Sequence, residues 1–323
     1  MTEMYKRPNY NLLKDTILIL IAIVFFIGGP IQLANWQVYK ASHQVAPISM
    51  VKNIHLRDGE HAMKYLASYG FDMQKIRNNQ SPVPAIYFAN LPRELTRMKD
   101  VRLKKEIFLS SLLPPILKVN TTIRQDRKKL KKMILYITLG TDLSEVDYYW
   151  LTRKLIRYKI KVDNVQDFVT RTGDIFEKLL NRMNIIPPEL ALAQAAQESG
   201  WGTSRFAQEG NALYGQWTWG KGCGMIPQQR DEGKTHRMKC FKNIIEAVDS
   251  YMLNLNTHAA YKALRLERRA FRDDQTINVI PLVDSLTNYS QEGQEYVEKI
   301  KNIIRVNKLG DFKHARLDNS RAQ

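Results

Sequence analysis

The residue of this 323-residue chain that is best suited to chemistry is Glu198. It lies near the end of Pro187–Gly200, PPELALAQAAQESG, which is apolar or small on nearly every side and therefore predicts a buried helix. Burial and the negative end of the helix dipole both raise the pKa of a carboxyl in the last turn. A carboxyl that keeps its proton near neutral pH is what general-acid cleavage of a glycosidic bond requires. The alternative is an ion pair with an arginine that only stabilises the fold.

Aromatic residues and glycines crowd the sequence that follows Glu198. Aromatic rings on flexible turns suit the flat apolar faces of sugar rings, and side-chain amides bind sugar hydroxyls and acetamido groups. Taken singly, each aromatic residue is typical of a protein core, but the group beside a buried Glu favours a carbohydrate cleft. We predict that this cleft is lined by Gln194, Trp201, Asn211, Tyr214, Gln216, Trp217, Trp219 and Tyr251.

Three stretches of the sequence resemble one known family. The stretch from Ala193, AQAAQESGWGTSRFAQEGNALYGQW, is similar to the opening motif of bacterial glucosaminidase domains, family 73 glycoside hydrolases with a lysozyme-like fold. MKCFKNIIEAVDSYMLNLNTHAAYKALR, from Met238, resembles the helix after the family's β-hairpin lobe, and NYSQEGQEYVEKIKNII, from Asn288, resembles its closing motif. With the basic helical segment before the domain, the fuller resemblance is to Bax-type bacterial proteins, over roughly residues 85–310.

The resemblance implies specific catalytic roles. Glu198 matches the family's general acid, and Tyr289 matches a tyrosine opposite it, a partner for the substrate's acetamido group or for an attacking water. Such families carry the second carboxylate on the hairpin lobe, here about Cys223–Phe241, where Asp231 and Glu232 are the candidates. Glu232 is preferred because it precedes a glycine at an apparent hairpin tip, and two solvated loop carboxylates are the alternative. The substrate's own acetamido oxygen could also replace this base.

The N-terminal sequence predicts a membrane anchor. Thr16–Ala34 contains no charged residue, has about the length that spans a bilayer core, and follows three basic residues. We expect an uncleaved single-pass helix in the inner (cytoplasmic) membrane, with the rest of the chain outside the cytoplasm. A cleaved signal peptide is the alternative. In that oxidising compartment, Cys223 and Cys240 are expected to form a disulfide.

The charge balance indicates an anionic partner. The chain has 49 basic and 32 acidic residues, a net charge of +17, which suits nucleic acid, an acidic membrane face or an acidic polymer. Nucleic acid is disfavoured because the chain is expected outside the cytoplasm and no helix-turn-helix, zinc or RNA-binding motif is found. The resemblance implies peptidoglycan glycan strands as the partner, and the positive charge fits an anionic wall polymer. No metal-binding spacing is found, and neither a metal nor a cofactor is expected. The most basic run, Arg124–Lys132, is typical of a solvated helix face; a secondary role in holding acidic polymer or lipid headgroups stays open.

The remaining sequence predicts a mainly helical, α+β, lysozyme-like fold with a small β-hairpin lobe. Pro114 and Pro115 are expected to interrupt a helix, Ser144 to begin the next one, and Gly200 to end the helix that carries the candidate acid. The predicted divisions are a cytoplasmic tail 1–15, the anchor 16–34, a stalk 35–84, a helical accessory region 85–163, the glucosaminidase domain 164–310 and a C-terminal tail 311–323.

Together with the resemblance, these observations predict a membrane-anchored peptidoglycan hydrolase. It would be an endo-β-N-acetylglucosaminidase that cleaves β-1,4 bonds in cell-wall glycan by carboxyl general-acid catalysis. One alternative is a lytic transglycosylase, which uses a single buried Glu and closes an anhydro ring instead of adding water. Another is a glycan-binding scaffold protein without turnover. Two carboxyls about 6.5–9.5 Å apart would give inversion, and substrate assistance is the other route.

Overall fold

Helices make up most of the chain that the structure, a computed structural model, describes, namely residues 50–51, 59–162, 171–219, 222–227, 235–271 and 277–318. All of these belong to the second of two units, Met50–Gln323. The predicted anchor falls in the first unit, Met1–Ser49, and lies outside the described residues. Within the described ranges, no helix combines the length and the apolar character that a bilayer span needs.

The α-helices, in chain order, are α1 Gly59–Ser68, α2 Met73–Arg77, α3 Val101–Thr138, α4 Glu145–Arg157, α5 Thr172–Arg182, α6 Pro188–Ser199, α7 Arg205–Gly210, α8 Ile244–Thr257, α9 Lys262–Arg269, α10 Val279–Asp284 and α11 Gln294–Val306. Short 3-10 helices cover Arg93–Thr96, Ala259–Tyr261 and Leu309–His314. The strands are β1 Met50–Val51, β2 Tyr87–Phe88, β3 Trp217–Thr218, β4 Gly224–Met225 and β5 Arg237–Lys239. Strands β1 and β2 pair in parallel, whereas β5 lies between β3 and β4 and is antiparallel to both. The predicted mainly helical architecture with a small antiparallel lobe is confirmed.

Helix α3 runs unbroken through Pro114 and Pro115, so the predicted interruption is wrong. A proline in a helix interior removes a backbone hydrogen bond and costs about 3 kcal/mol. Here every residue over 107–117 is buried, and α3 packs against α6 and α8. The long-range burial of this apolar segment outweighs the local cost of the prolines.

Two stretches that the sequence assigns to a stalk and a C-terminal tail contribute to the core. Leu66 on α1, Ile76 on α2 and Val83 are buried, and so is Phe312 in the last 3-10 helix. Val83 also forms an isolated parallel bridge with Leu317. The described chain therefore joins its early and late segments around the central helices. The domain boundaries themselves stay predictions.

Buried side chains from other helices hold the segment that enters α6. Arg268 of α9 donates to the carbonyl oxygens of Asn181 and Ile185, both at 2.9 Å. Asn120 of α3 donates to the carbonyl oxygen of Ile186 at 2.7 Å and accepts from its N–H at 3.1 Å. These bonds satisfy backbone groups that would otherwise be buried without partners. They fix the position at which α6 begins.

Candidate active site

Glu198 lies in the last turn of α6, where the sequence predicts it. The helix begins at Pro188, whose missing N–H is not needed in the first turn. It ends at Gly200, which has a φ of 57° in the left-handed region. All residues from Pro188 to Ala196 are buried. The predicted start, end and burial of this helix are confirmed.

The surroundings of Glu198 favour its protonated form. The carboxyl is partly buried, and burial is the main cause that raises its pKa above the ordinary value. A hydrogen bond from the Tyr296 hydroxyl acts in the opposite direction and lowers the pKa, while the nearby Glu292 carboxylate raises it. The charged group that acts on Glu198 is thus another carboxylate rather than the arginine of the alternative prediction. A general acid needs this protonated state.

A chain of buried polar groups ends at Glu198. The Tyr251 hydroxyl donates to Gln194 Oε1 at 2.6 Å, and Gln194 Nε2 donates to the Tyr296 hydroxyl oxygen at 2.9 Å. Tyr296 in turn forms a hydrogen bond with the Glu198 carboxyl. An amide nitrogen can only donate, so the Tyr296 oxygen is the acceptor there and its single proton is directed to Glu198. One carboxyl oxygen is thereby occupied, and the other is left to carry the acidic proton.

This chain gives structural contacts to two residues that the sequence assigns to the cleft. The side chains of Gln194 and Tyr251 are 0% and 1% exposed, and their predicted role in substrate binding stays a prediction. They lie behind the acid, on α6 and α8, and orient it through Tyr296. Helices that are distant in sequence bury these two side chains. The local sequence pattern therefore could not show that they are buried.

Tyrosine rings form a wall beside the acid. The rings of Tyr214 and Tyr251 are stacked, with centroids 3.8 Å apart, and those of Tyr289 and Tyr296 are stacked at 5.3 Å. The Tyr289 hydroxyl donates to the carbonyl oxygen of Tyr214 at 2.9 Å. Burial raises the pKa of Tyr289, and the charge of Glu198 raises it further. The structure thus brings Tyr289 within electrostatic reach of Glu198, and its catalytic role stays a prediction.

Gly215 leaves room for the carboxyl. Its φ is 61°, in the left-handed region that glycine adopts without strain. A Cβ atom at this position would lie 2.7 Å from Glu198 Oε2. Any other residue here would therefore collide with the acid.

Two other predicted cleft residues have structural contacts. Asn211 is 4% exposed and ends α7 at a φ of 51°, while its amide donates to Asn90 Oδ1 at 2.8 Å. The Trp201 ring packs edge-on against Phe108 at 5.5 Å, with the Lys105 ammonium 4.6 Å from its centroid. Asn211 therefore holds the turn after α7, and its binding role stays a prediction. Trp201 joins the end of α6 to α3.

The antiparallel lobe presents the exposed aromatic residues. Trp217 is 44% exposed and Trp219 is 71% exposed, and the Trp217 ring meets His236 edge-on at 4.6 Å. Gln216 Nε2 donates to the carbonyl oxygen of Ser250 at 3.3 Å, which ties the lobe to α8. Exposed aromatic rings of this kind suit stacking on a sugar. Their binding role stays a prediction.

The predicted disulfide is confirmed. Cys223 and Cys240 are bonded, with their Cα atoms 5.3 Å apart, and they join the residue before β4 to the residue after β5. Asp231 and Glu232 lie between these strands in sequence but outside the described residues. The second carboxylate therefore stays a prediction. In the part of the chain that the structure describes, no group of three or more His, Cys, Asp or Glu side chains could hold a metal ion.

Sequence reasoning missed two residues that act on Glu198. Tyr296 and Glu292 both lie in the closing motif, from which only Tyr289 was selected. Tyr296 follows Tyr289 by seven residues and is buried on α11, which packs against α6. The presence of a second tyrosine in this motif was the sequence feature that could have pointed to Tyr296.

The candidate site lies in the part of the chain that matches a known protein family. Residues 173–309, which include Glu198 and Tyr296, match the Glucosaminidase family, described as mannosyl-glycoprotein endo-beta-N-acetylglucosaminidase. The chain is 30% identical over 206 residues to protein bax of Escherichia coli (strain K12), covering 58% of this chain and 71% of that protein. No solved structure matches it significantly. With a glucosaminidase domain and this relative, the chain belongs to the Bax-type glucosaminidase-domain proteins.

Proposed function

We propose that the protein is a peptidoglycan hydrolase, an endo-β-N-acetylglucosaminidase that cleaves β-1,4 bonds of the cell-wall glycan with Glu198 as its general acid. The observation that carries the proposal is the setting of this carboxyl. Burial raises its pKa, and Tyr296 forms a hydrogen bond with it. Gly215 leaves space beside its Oε2 atom. Family membership supports a glycan as the substrate.

In the first chemical step, the protonated Glu198 gives its proton to the glycosidic oxygen while positive charge develops at the anomeric carbon. The carboxylate that results needs a hydrogen-bond donor, and the Tyr296 hydroxyl supplies one. Gln194 keeps that hydroxyl oriented as a donor. Burial therefore favours the proton in the resting site, whereas Tyr296 eases its departure.

In one route, a water attacks the anomeric carbon from the opposite face as the glycosidic bond breaks, and a deprotonated Glu232 on the lobe would accept the proton of this water; the result is inversion if the carboxyls lie about 6.5–9.5 Å apart. Alternatively, the substrate's acetamido oxygen, oriented by Tyr289, bonds to the anomeric carbon as the glycosidic bond breaks. A water then opens the resulting ring and gives its proton to the Glu198 carboxylate. The exposed Trp217 and Trp219 would stack on sugar rings next to the bond that is cleaved.

We also propose an inner-membrane location with the catalytic domain on the extracytoplasmic side. The uncharged run Thr16–Ala34 supports a single-pass anchor. The disulfide between Cys223 and Cys240 supports an oxidising compartment. Carbonate-washed membranes should retain the full-length chain, whereas a soluble form that begins near residue 40 would indicate a cleaved signal peptide.

Digestion of purified peptidoglycan by the full-length protein, followed by mass analysis of the fragments, tests the proposed reaction. Hydrolysis should release fragments with a reducing N-acetylglucosamine end. Fragments that are lighter by one water would instead identify a lytic transglycosylase. Binding to peptidoglycan without release of any fragment would indicate a scaffold protein and would contradict the proposal.

A further inference from the structure

Helices α3 and α4 form a hairpin, joined by ion pairs of Lys129 with Asp147 and of Lys154 with Asp126, and the end that holds its turn carries exposed apolar side chains. We call Leu135, Tyr136 and Leu139 at the end of α3, with Val146 at the start of α4, the hairpin tip. They are 54%, 38%, 69% and 53% exposed. The hairpin also has a buried side, where Leu143 is 8% exposed. Large apolar residues that cluster at one exposed end are typical of an interaction surface.

The helix behind the tip is basic on the same side. Lys128, Lys132 and Tyr136 follow one another in steps of four residues and therefore share a face of α3. Both lysines are exposed, and Lys132 Nζ lies 5.3 Å from the centroid of the Tyr136 ring. From Arg124 to Lys161 the hairpin has eleven basic and four acidic residues, a net charge of +7.

Two of the four acidic residues are engaged by other lysines. Asp147 binds Lys129 at 2.8 Å, and Asp126 forms an ion pair with Lys154. The remaining two, Asp142 and Glu145, lie in or next to the turn. The hairpin therefore has a large positive net charge, although two acidic residues lie in or next to its turn.

We propose that the hairpin tip docks onto the surface of an anionic lipid bilayer. The apolar side chains would enter the boundary between headgroups and acyl chains, and the lysines would reach the lipid phosphates, as in interfacial amphipathic helices. An acidic polysaccharide would use the lysines but would leave the leucines in water, because it has no apolar interior. A bilayer offers an apolar interior to the leucines and phosphate groups to the lysines.

Docking would set the distance between the membrane and the candidate cleft. Phe108, near the other end of α3, contacts Trp201, the third residue after Glu198. From Phe108 to Leu139 the helix rises by up to about 45 Å at 1.5 Å per residue. The hairpin would thus act as a spacer that holds the cleft away from the bilayer and toward the glycan. This surface stands on its own residues and does not require the N-terminal anchor.

A fluorescent probe near the tip tests the proposal in the full-length protein. Thr138→Cys, exposed on the last turn of α3, is labelled with an environment-sensitive nitrobenzoxadiazole group. Val101→Cys, 58% exposed at the first residue of the same helix, is the matched control. Both proteins are reconstituted into vesicles of phosphatidylcholine alone or mixed with phosphatidylglycerol. The native cysteines are protected by their disulfide.

We expect a blue shift and quenching by spin-labelled lipid at position 138 in the mixed vesicles, and neither at position 101. Leu135→Ser with Leu139→Ser should lower the docking equilibrium constant about tenfold or more. Replacing Lys128 and Lys132 by Gln should lower it about fivefold per lysine and weaken its salt dependence. Circular dichroism verifies that the variants are folded.

Three results would overturn the proposal. The probe at 138 could stay in water in both kinds of vesicle. The shift could appear without lipid as the protein concentration rises, which would identify a second copy as the partner. Finally, a soluble anionic polysaccharide could cause the shift equally well in the Leu135→Ser, Leu139→Ser protein, which would identify a polymer.

Discussion

Helix α6 carries a carboxyl near each end, Glu189 in its first turn and Glu198 in its last. Burial raises the pKa of both, to about 7 for Glu189, which is 3% exposed. The helix dipole favours a charged carboxyl in the first turn and disfavours one in the last. Desolvation therefore outweighs the dipole at Glu189, and a raised pKa alone does not single out the acid.

The two ends differ in what surrounds the carboxyl. Among the described residues, Glu189 Oε2 has no hydrogen-bond partner, and the charge that acts on the group is that of Lys313 in the last 3-10 helix. Glu198 has a tyrosine donor and the space beside Gly215. A sealed carboxyl can only affect stability, whereas a partly exposed one with a donor can exchange its proton with a ligand.

The largest expected effect separates these two carboxyls by activity. Glu198→Gln keeps the size of the side chain but cannot give up a proton, so the release of glycan fragments should fall about 10²–10⁴-fold. Glu189→Gln is the matched control, a buried carboxyl on the same helix, and should retain activity. Fragment release is measured alongside circular dichroism. An active Glu198→Gln protein, or equal losses in both folded variants, would contradict the assignment.

The next effect concerns stability, and here the substitution of Glu189 should have the larger effect. The pKa of Glu189 is about 7 in the folded protein and about 4.3 when unfolded, so the folded state binds the extra proton between these values. Wild-type stability should therefore fall as pH rises through this window, by at most about 4 kcal/mol. Glu189→Gln removes the penalty and should be more stable than wild type above pH 7 but similar near pH 4.

Urea denaturation of the full-length proteins at both pH values measures this difference. A gain in the free energy of unfolding that is the same at both pH values would show that the amide improves packing and that the carboxyl is not the cause. The Glu198 carboxyl is partly exposed to solvent. Glu198→Gln should therefore gain less stability above pH 7 than Glu189→Gln does.

The contrast also shows what the sequence could predict. The limits of α6 depend on local chemistry at Pro188 and Gly200, and these were predicted correctly. The break at Pro114 was wrong because a local rule was outweighed by burial against distant helices.

The buried polar groups behind Glu198 also come together from segments that are distant in sequence. Tyr251 and Tyr296 lie 57 and 102 residues from Gln194, to which both are bonded. No periodicity within one segment could have shown that Gln194 contacts these tyrosines. The resemblance favoured Glu198 as the acid, and the packed helices show which side chains surround its carboxyl.

A smaller effect tests this orienting layer. Tyr251→Phe removes the donor to Gln194 Oε1 and keeps the ring that stacks on Tyr214. Loss of one buried hydrogen bond is worth about 1 kcal/mol, so the maximum rate should fall roughly fivefold, with little change in KM. The split between kcat and KM is the measurement, because a residue that bound substrate directly would raise KM. A raised KM with an unchanged kcat would restore the direct role of Tyr251.

The smallest expected effect is a displacement of the pH profile. The proposed general acid, Glu198, would act in its protonated form, so kcat/KM should fall as pH rises through its pKa. The Tyr296 hydrogen bond lowers this pKa, and the Glu292 carboxylate raises it. Tyr296→Phe should therefore move the descending limb to higher pH, and Glu292→Gln should move it to lower pH. The opposite signs make the pair its own control, since a general loss of structure would not displace the two limbs in opposite directions. If both variants leave the limb in place, the group that titrates is not Glu198.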